Sequence, residues 1–211
     1  MQIALRQHGW NATALGYAST RASMREHAAD LTRRIAALPG DGPLFFVTHS
    51  MGGIVLRVML HDVLGDSALR ARTRRVVMLA PPNGGSEVVD RIETVVPMRW
   101  LNGPAGEELG TRGLPAQLGP IAHETGIIAG TRSTNPLTSS WLPGEDDGKV
   151  SVEATRLDGM ADHLVLPVTH TFMMNSPVVM AQTLAFLDGG LFRADLKRLD
   201  AALGYLRKQS T

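Results

Sequence analysis

Residues 44–53, LFFVTHSMGG, constrain the fold more than any other stretch of this chain. Four consecutive apolar residues, Leu44, Phe45, Phe46 and Val47, read as a buried strand. The run breaks at Ser50, with glycines at 52 and 53, and Ile54, Val55, Val58 and Met59 then recur at helical spacing. A strand that passes through so tight a turn directly into a helix is a unit of a parallel α/β sheet, and it leaves one hydroxyl at the corner. The usual pattern for such a corner is G-x-S-x-G. Here Thr48 replaces the first glycine, Gly52 keeps the second, and Gly53 adds room for close packing of helix on strand. A serine that merely caps the helix is the alternative, but a cap requires no glycines around it. Ser50 is therefore the candidate nucleophile.

Strands and helices alternate along the rest of the chain. Trp10 to Tyr17 is expected as a short strand. Ser23, with Glu26 three residues on, forms a capping box for a helix whose Ala28, Leu31, Ile35 and Leu38 share one face before Pro39 and Gly40 end it. Arg75 to Ala80 reads as the next strand, and PPNGG at 81–85 breaks it into a loop at the strand end where ligands gather in open parallel sheets. Gly126 to Gly130 and Leu164 to Val168 are two further strands, and Ser176 with Pro177 opens a helix carrying Val178, Val179, Leu184 and Phe186. The expected fold is α/β, a mainly parallel sheet with helices on both faces. Its 211 residues, 44% of them hydrophobic, supply one sizeable core. A formal charge of +1 gives nucleic acid no electrostatic hold, and the absence of cysteine excludes disulfides and thiolate metal sites. The N-terminal MQIALRQHGW lacks the form of a secretory leader and no run approaches a membrane span, so the expected compartment is cytoplasmic.

A nucleophilic serine needs a base to take its proton and an acid to orient that base. Downstream, Glu145, Asp146, Asp147 and Gly148 form an acidic turn, and His170 follows the Leu164 to Val168 strand. Chain order Ser, Asp, His is the one associated with this type of corner. Asp147 is favoured as the orienting acid because the glycine after it lets the turn aim its side chain; Asp146 is the alternative. Among the other histidines, His49 is expected to point away from Ser50, His27 and His61 fall in helical patterns, and His123 lies in the loop-rich middle. His163 is the rival base, but it precedes the strand that His170 follows and so belongs at the opposite end of the sheet.

Taken together and in order, THSMGGIVLR, LAPPNGGS, EDDGKVSVEATRL and VTHTFMMNSP resemble the α/β-hydrolase fold, and within it the lipase-like serine hydrolases. The resemblance runs from about Trp10 to Leu187. It implies hydrolysis of an ester or thioester through an acyl-enzyme, with Ser50 as nucleophile, His170 as base and then acid, Asp147 as its orienter and the Met51 amide as an oxyanion donor. It implies no cofactor and no metal. It also implies a strand and a His-Gly loop ahead of the first helix, carrying a second oxyanion amide. His8 and Gly9 are the only such pair, yet Ala4 to His8 reads better as a helix tail with Gly9 as its cap. The expectation is therefore an N-terminally truncated sheet: either a fragment, or a sheet that closes the gap and forfeits a donor worth about 10²- to 10³-fold in rate.

Residues 1–188 form the expected core, and 87–120 is expected either as a lid, whose Met98 and Trp100 are candidate substrate-binding residues, or as an irregular cap that only covers the sheet. Residues 189–211 form an amphipathic tail, with Phe192, Leu196, Leu199, Leu203 and Leu206 in a heptad-like rhythm. Three roles are open to the tail: docking on the body, self-association, or contact with a membrane surface. The expected substrate is a small carboxylic ester, lipid-like or otherwise apolar in its acyl group. The alternatives are acyl transfer to an alcohol by the same triad, and a hydrolase-like domain that binds an acyl ligand without turnover.

Overall fold

The computed structural model describes residues 1–61, 65–86, 104–106, 108–133 and 139–208. Among the described residues four strands, β1 (Leu44–His49), β2 (Thr73–Leu79), β3 (Glu124–Gly130) and β4 (Asp162–Leu166), form one parallel sheet in the order β1-β2-β3-β4. Helices among the described residues include α1 (Gln2–Gln7), α2 (Met24–Ala36), α3 (Met51–Leu60), α4 (Ser67–Arg72), the single turn α5 (Leu114–Gln117), α6 (Pro177–Gly189) and α7 (Leu199–Lys208). The period-two geometry of a strand sorts the core into two layers. Val76, Met78 and Ile127 face α2 and α3, while Val77, Leu79 and Ile128 face α6 on the other side. Ala105, Leu114 and Leu118, within the stretch expected as a lid, are buried in the α2–α3 layer.

Local signals act as their chemistry requires. Ser23 accepts from the Glu26 amide while the Glu26 carboxylate takes the Ser23 amide, closing the capping box of α2. Ser176 caps α6 behind Pro177. α1 ends in a Schellman turn: Gly9, at φ 81°, donates to Arg6 and Trp10 to Leu5, so His8–Gly9 is a helix terminus. The tail docks on α6, with Leu196 and Ala202 buried and the Gln182 side chain bonding both backbone groups of Arg193. Among the described residues no helix is long and apolar enough to cross a membrane.

Two expectations are corrected. β4 begins two residues earlier than predicted and stops at Leu166, so His163 lies inside the strand opposite Ile127. Residues 10–17 are not a strand. They cross the free edge of β1, with Trp10 edge-on to Phe45 at 4.8 Å in one layer and Leu15 and Tyr17 in the other. The Ala12 carbonyl is taken by the Gln2 and Arg6 side chains of α1, which removes it from any ladder. Among the described residues β1 therefore pairs with β2 alone, and the sheet does not close up on that side.

Candidate active site

The turn between β1 and α3 puts Ser50 at φ 54° and ψ −131°, a conformation that costs a non-glycine residue about 1–3 kcal/mol. Its amide donates to the Leu79 carbonyl at 2.8 Å, pinning the corner to the end of β2. Its hydroxyl makes no capping bond to α3. The close approach that the glycines allow falls at Gly53, where a Cβ would lie 2.9 Å from the Pro81 Cβ; at Gly52 the nearest atoms, in Thr48 and Tyr17, are at 3.8 Å.

Instead of a cap, the Ser50 hydroxyl meets His170. Ser50 Oγ lies 2.9 Å from His170 Nε2, and His170 Nδ1 lies 2.8 Å from Asp147 Oδ2. A carboxylate only accepts, so Nδ1 carries the proton and the Nε2 lone pair faces the serine. His170 and Asp147 are both almost fully buried. The acid is aimed by its turn. Gly148 takes φ 100°, Asp147 Oδ1 accepts the Lys149 and Val150 amides, and the His170 amide donates to the Asp147 carbonyl at 3.0 Å. Asp146 points elsewhere, its Oδ1 taking the Ser139 hydroxyl and the Gly148 amide at 2.7 Å each. The Met51 amide, first in α3, is among the N-terminal N–H groups that helix geometry leaves without an intrahelical acceptor.

The other histidines lie outside this chain of bonds, except one. His163 Nε2 bonds Thr155 Oγ1, His123 bonds the Arg70 carbonyl, and His27 packs on the Tyr17 ring. His49 does not simply point away: its ring packs against His170 with centroids 4.8 Å apart, and its Nε2 lies 3.0 Å from the His170 carbonyl. Burial, then the electrostatic influence of the neighbouring His170, pushes its pKa down to about 4. Met98 and Trp100 lie outside the described residues.

Two supporting residues are invisible to motif reasoning. Arg57, on α3, is 5% exposed and donates to Asn83, Pro115 and Gly119, while Asn83 donates on to the Thr155 carbonyl. An arginine in a helix ordinarily reads as surface; here it ties α3 to the loop after β2 and to the segment that follows Asp147. Burial pulls its pKa down to about 10, so it stays a cation at neutral pH. Gly130 ends β3, where a Cβ would sit 2.5 Å from the Val168 carbonyl and 2.8 Å from the Asp147 Cβ.

A parallel sheet with helices on both faces, and a serine on a strained strand-to-helix corner, define the α/β-hydrolase fold, and the chain has this fold. Solved structures agree. The chain superposes on phospholipase PlaB from Legionella pneumophila with a TM-score of 0.65 at 15% identity, covering 98% of this chain and 56% of that one. A metagenomic carboxyl esterase gives 0.58 at 18% identity, over 94% and 64% of the two chains. The mature form of a lipase from Bacillus licheniformis gives 0.55 at 16%, over 75% of each. The chain thus spans less than two thirds of the phospholipase and of the esterase. No protein-family model and no curated protein sequence matches it.

Proposed function

We propose that the chain is a serine hydrolase that cleaves carboxylic esters through an acyl-enzyme on Ser50. The observation that carries this is the continuous relay from Ser50 Oγ to His170 Nε2 at 2.9 Å and from His170 Nδ1 to Asp147 at 2.8 Å. Ser50 Oγ attacks the ester carbonyl carbon as His170 Nε2 takes its proton, and Asp147 stabilises the imidazolium that forms. The Met51 amide donates to the developing oxyanion. The tetrahedral intermediate collapses, the C–O bond to the alcohol breaks, and His170 returns the proton to the leaving alkoxide. Water, deprotonated by the same imidazole, then releases the acid and regenerates Ser50. An alcohol in place of that water would give acyl transfer.

An apolar acyl group is supported by the rim beside the base. Met173 is fully buried and anchors a short 3-10 turn, leaving Phe172 and Met174 exposed to 61% and 36% within four residues of His170. The superposed structures are named as a phospholipase, a carboxyl esterase and a lipase.

A fluorophosphonate probe tests the assignment. Labelling is expected in the wild type, lost in Ser50→Ala and His170→Ala, and retained in His163→Ala. Equal labelling of wild type and Ser50→Ala would refute the nucleophile, and loss in His163→Ala alone would reassign the base. An unlabelled wild type would support a binding domain without turnover.

A further inference from the structure

We infer that His49 is a positioning residue for the reaction: its Nε2–H bond to the His170 carbonyl and its ring packed on the His170 imidazole hold the base in line with Ser50. This rests on the Ser50–His170–Asp147 relay proposed above.

Residues 49 and 50 are consecutive, yet both side chains reach the same distant residue, 121 and 120 positions away. Ser50 Oγ meets the ring of His170 at 2.9 Å, and His49 Nε2 meets its main-chain carbonyl at 3.0 Å. The end of β1 therefore grips His170 at two points, one on the side chain and one on the backbone. Asp147 supplies two more, through Oδ2 to the His170 ring and through its carbonyl to the His170 amide. Removing the His49 bond would leave the carbonyl of a residue only 4% exposed without this donor, a loss that favours a shift of the loop carrying the imidazole.

The chemistry of His49 suits the task. A carbonyl only accepts, so Nε2 must carry the proton. The groups around His49 are His170, Asp147 and Lys149, and burial keeps its own ring neutral at working pH. A neutral ring does not oppose the imidazolium that His170 becomes during turnover, whereas a lysine or arginine donor here would. The tilted packing, 47° between ring planes, limits rotation of the catalytic imidazole about its own side-chain bonds.

The test separates donor from ring. His49→Phe keeps a ring and loses the N–H; His49→Gln keeps an N–H donor and loses the ring. With a soluble short-chain ester, His49→Phe is expected to lower kcat about 10²-fold with KM within about twofold, the cost of a misplaced catalytic group. His49→Gln should recover most of that loss. The low-field proton signal of His170 Nδ1–H, bonded to Asp147, should broaden or vanish in His49→Phe and persist in His49→Gln. If His49→Phe does not fold, His49→Met set against His49→Gln gives the same contrast at similar length. Turnover of the donorless variant within about threefold of wild type, or a change in KM alone, overturns the inference. If the wild type resists the fluorophosphonate probe, the relay itself is wrong. If it is labelled and His49→Phe reacts equally fast, only the role of His49 falls.

Discussion

Exchanging Asp147 for asparagine changes one heavy atom, and the structure dictates which way the new group must face. Oδ1 of Asp147 accepts the amides of Lys149 at 3.0 Å and Val150 at 2.9 Å. A carboxamide in this position keeps its oxygen there, because turning its NH2 toward two N–H donors would forfeit two hydrogen bonds at a residue 2% exposed. The NH2 must then face His170 Nδ1, now 2.8 Å from a carboxylate oxygen. A donor opposite Nδ1 forces the proton onto Nε2, and an imidazole protonated at Nε2 cannot accept from Ser50. The structure stays intact while the tautomer is wrong, a change worth about 10⁴ in kcat in a serine–histidine–aspartate triad, or about 5 kcal/mol of barrier. Asp146→Asn is the matched control. Its Oδ1 bonds to Ser139 and Gly148 need only an acceptor, which the amide retains, so its kcat should stay within about tenfold. Steady-state hydrolysis of a chromogenic ester, with thermal unfolding to verify folding, measures both. The argument fails if Asp147→Asn keeps more than about a tenth of wild-type kcat, or if Asp146→Asn is the more damaging change.

Two further outcomes concern stability. His49 falls from an ordinary 6.5 to about 4, and His163 is lowered as well, in each case chiefly by burial. Between these values the unfolded chain holds more protons than the folded one, so stability declines as pH drops below about 6.5 and levels off near 4; the His49 share is about 3 kcal/mol at most. Urea unfolding at pH 7.5, 5.5 and 4.5 should show this decline, shallower in His49→Gln, and an equal slope in both proteins would remove His49 as its source. At the corner, Gly53→Ala should destabilise by about 1–3 kcal/mol because its Cβ meets Pro81 at 2.9 Å. Gly52→Ala, with ordinary contacts at 3.8 Å, should be neutral or gain up to about 1 kcal/mol of helix propensity, although Gly52 is the glycine of the sequence pattern. Unfolding free energies in the opposite order would show that the close approach is misplaced.

What the amino-acid order discloses here is what depends on near neighbours. The apolar runs of β1, β2 and β3 end in Ser50, in PPNGG and at Gly130, so their existence follows from period and punctuation, and the capping box of α2 is complete within Ser23 to Glu26. Even Ser50, Asp147 and His170 could be singled out, because Ser50 and His170 follow strands and Asp147 stands on a glycine-flanked acidic turn between them in the chain. The failures are of another kind. Trp10 to Tyr17 carries apolar residues enough for a strand, but a strand exists only if a neighbour accepts its backbone, and α1 has already taken the Ala12 carbonyl. Arg57 reads as solvent-facing until Asn83, Pro115 and Gly119 converge on it from three separate stretches of chain. Alternation along a strand predicts that His49 points away from Ser50, yet both reach His170, Ser50 at its ring and His49 at its carbonyl and against its ring. The proposed reacting groups are thus legible because chemistry restricts them to a few residue types in a fixed order. The groups that hold them in place can be any residue with the right atom at the right distance, and only the assembled fold supplies the distance.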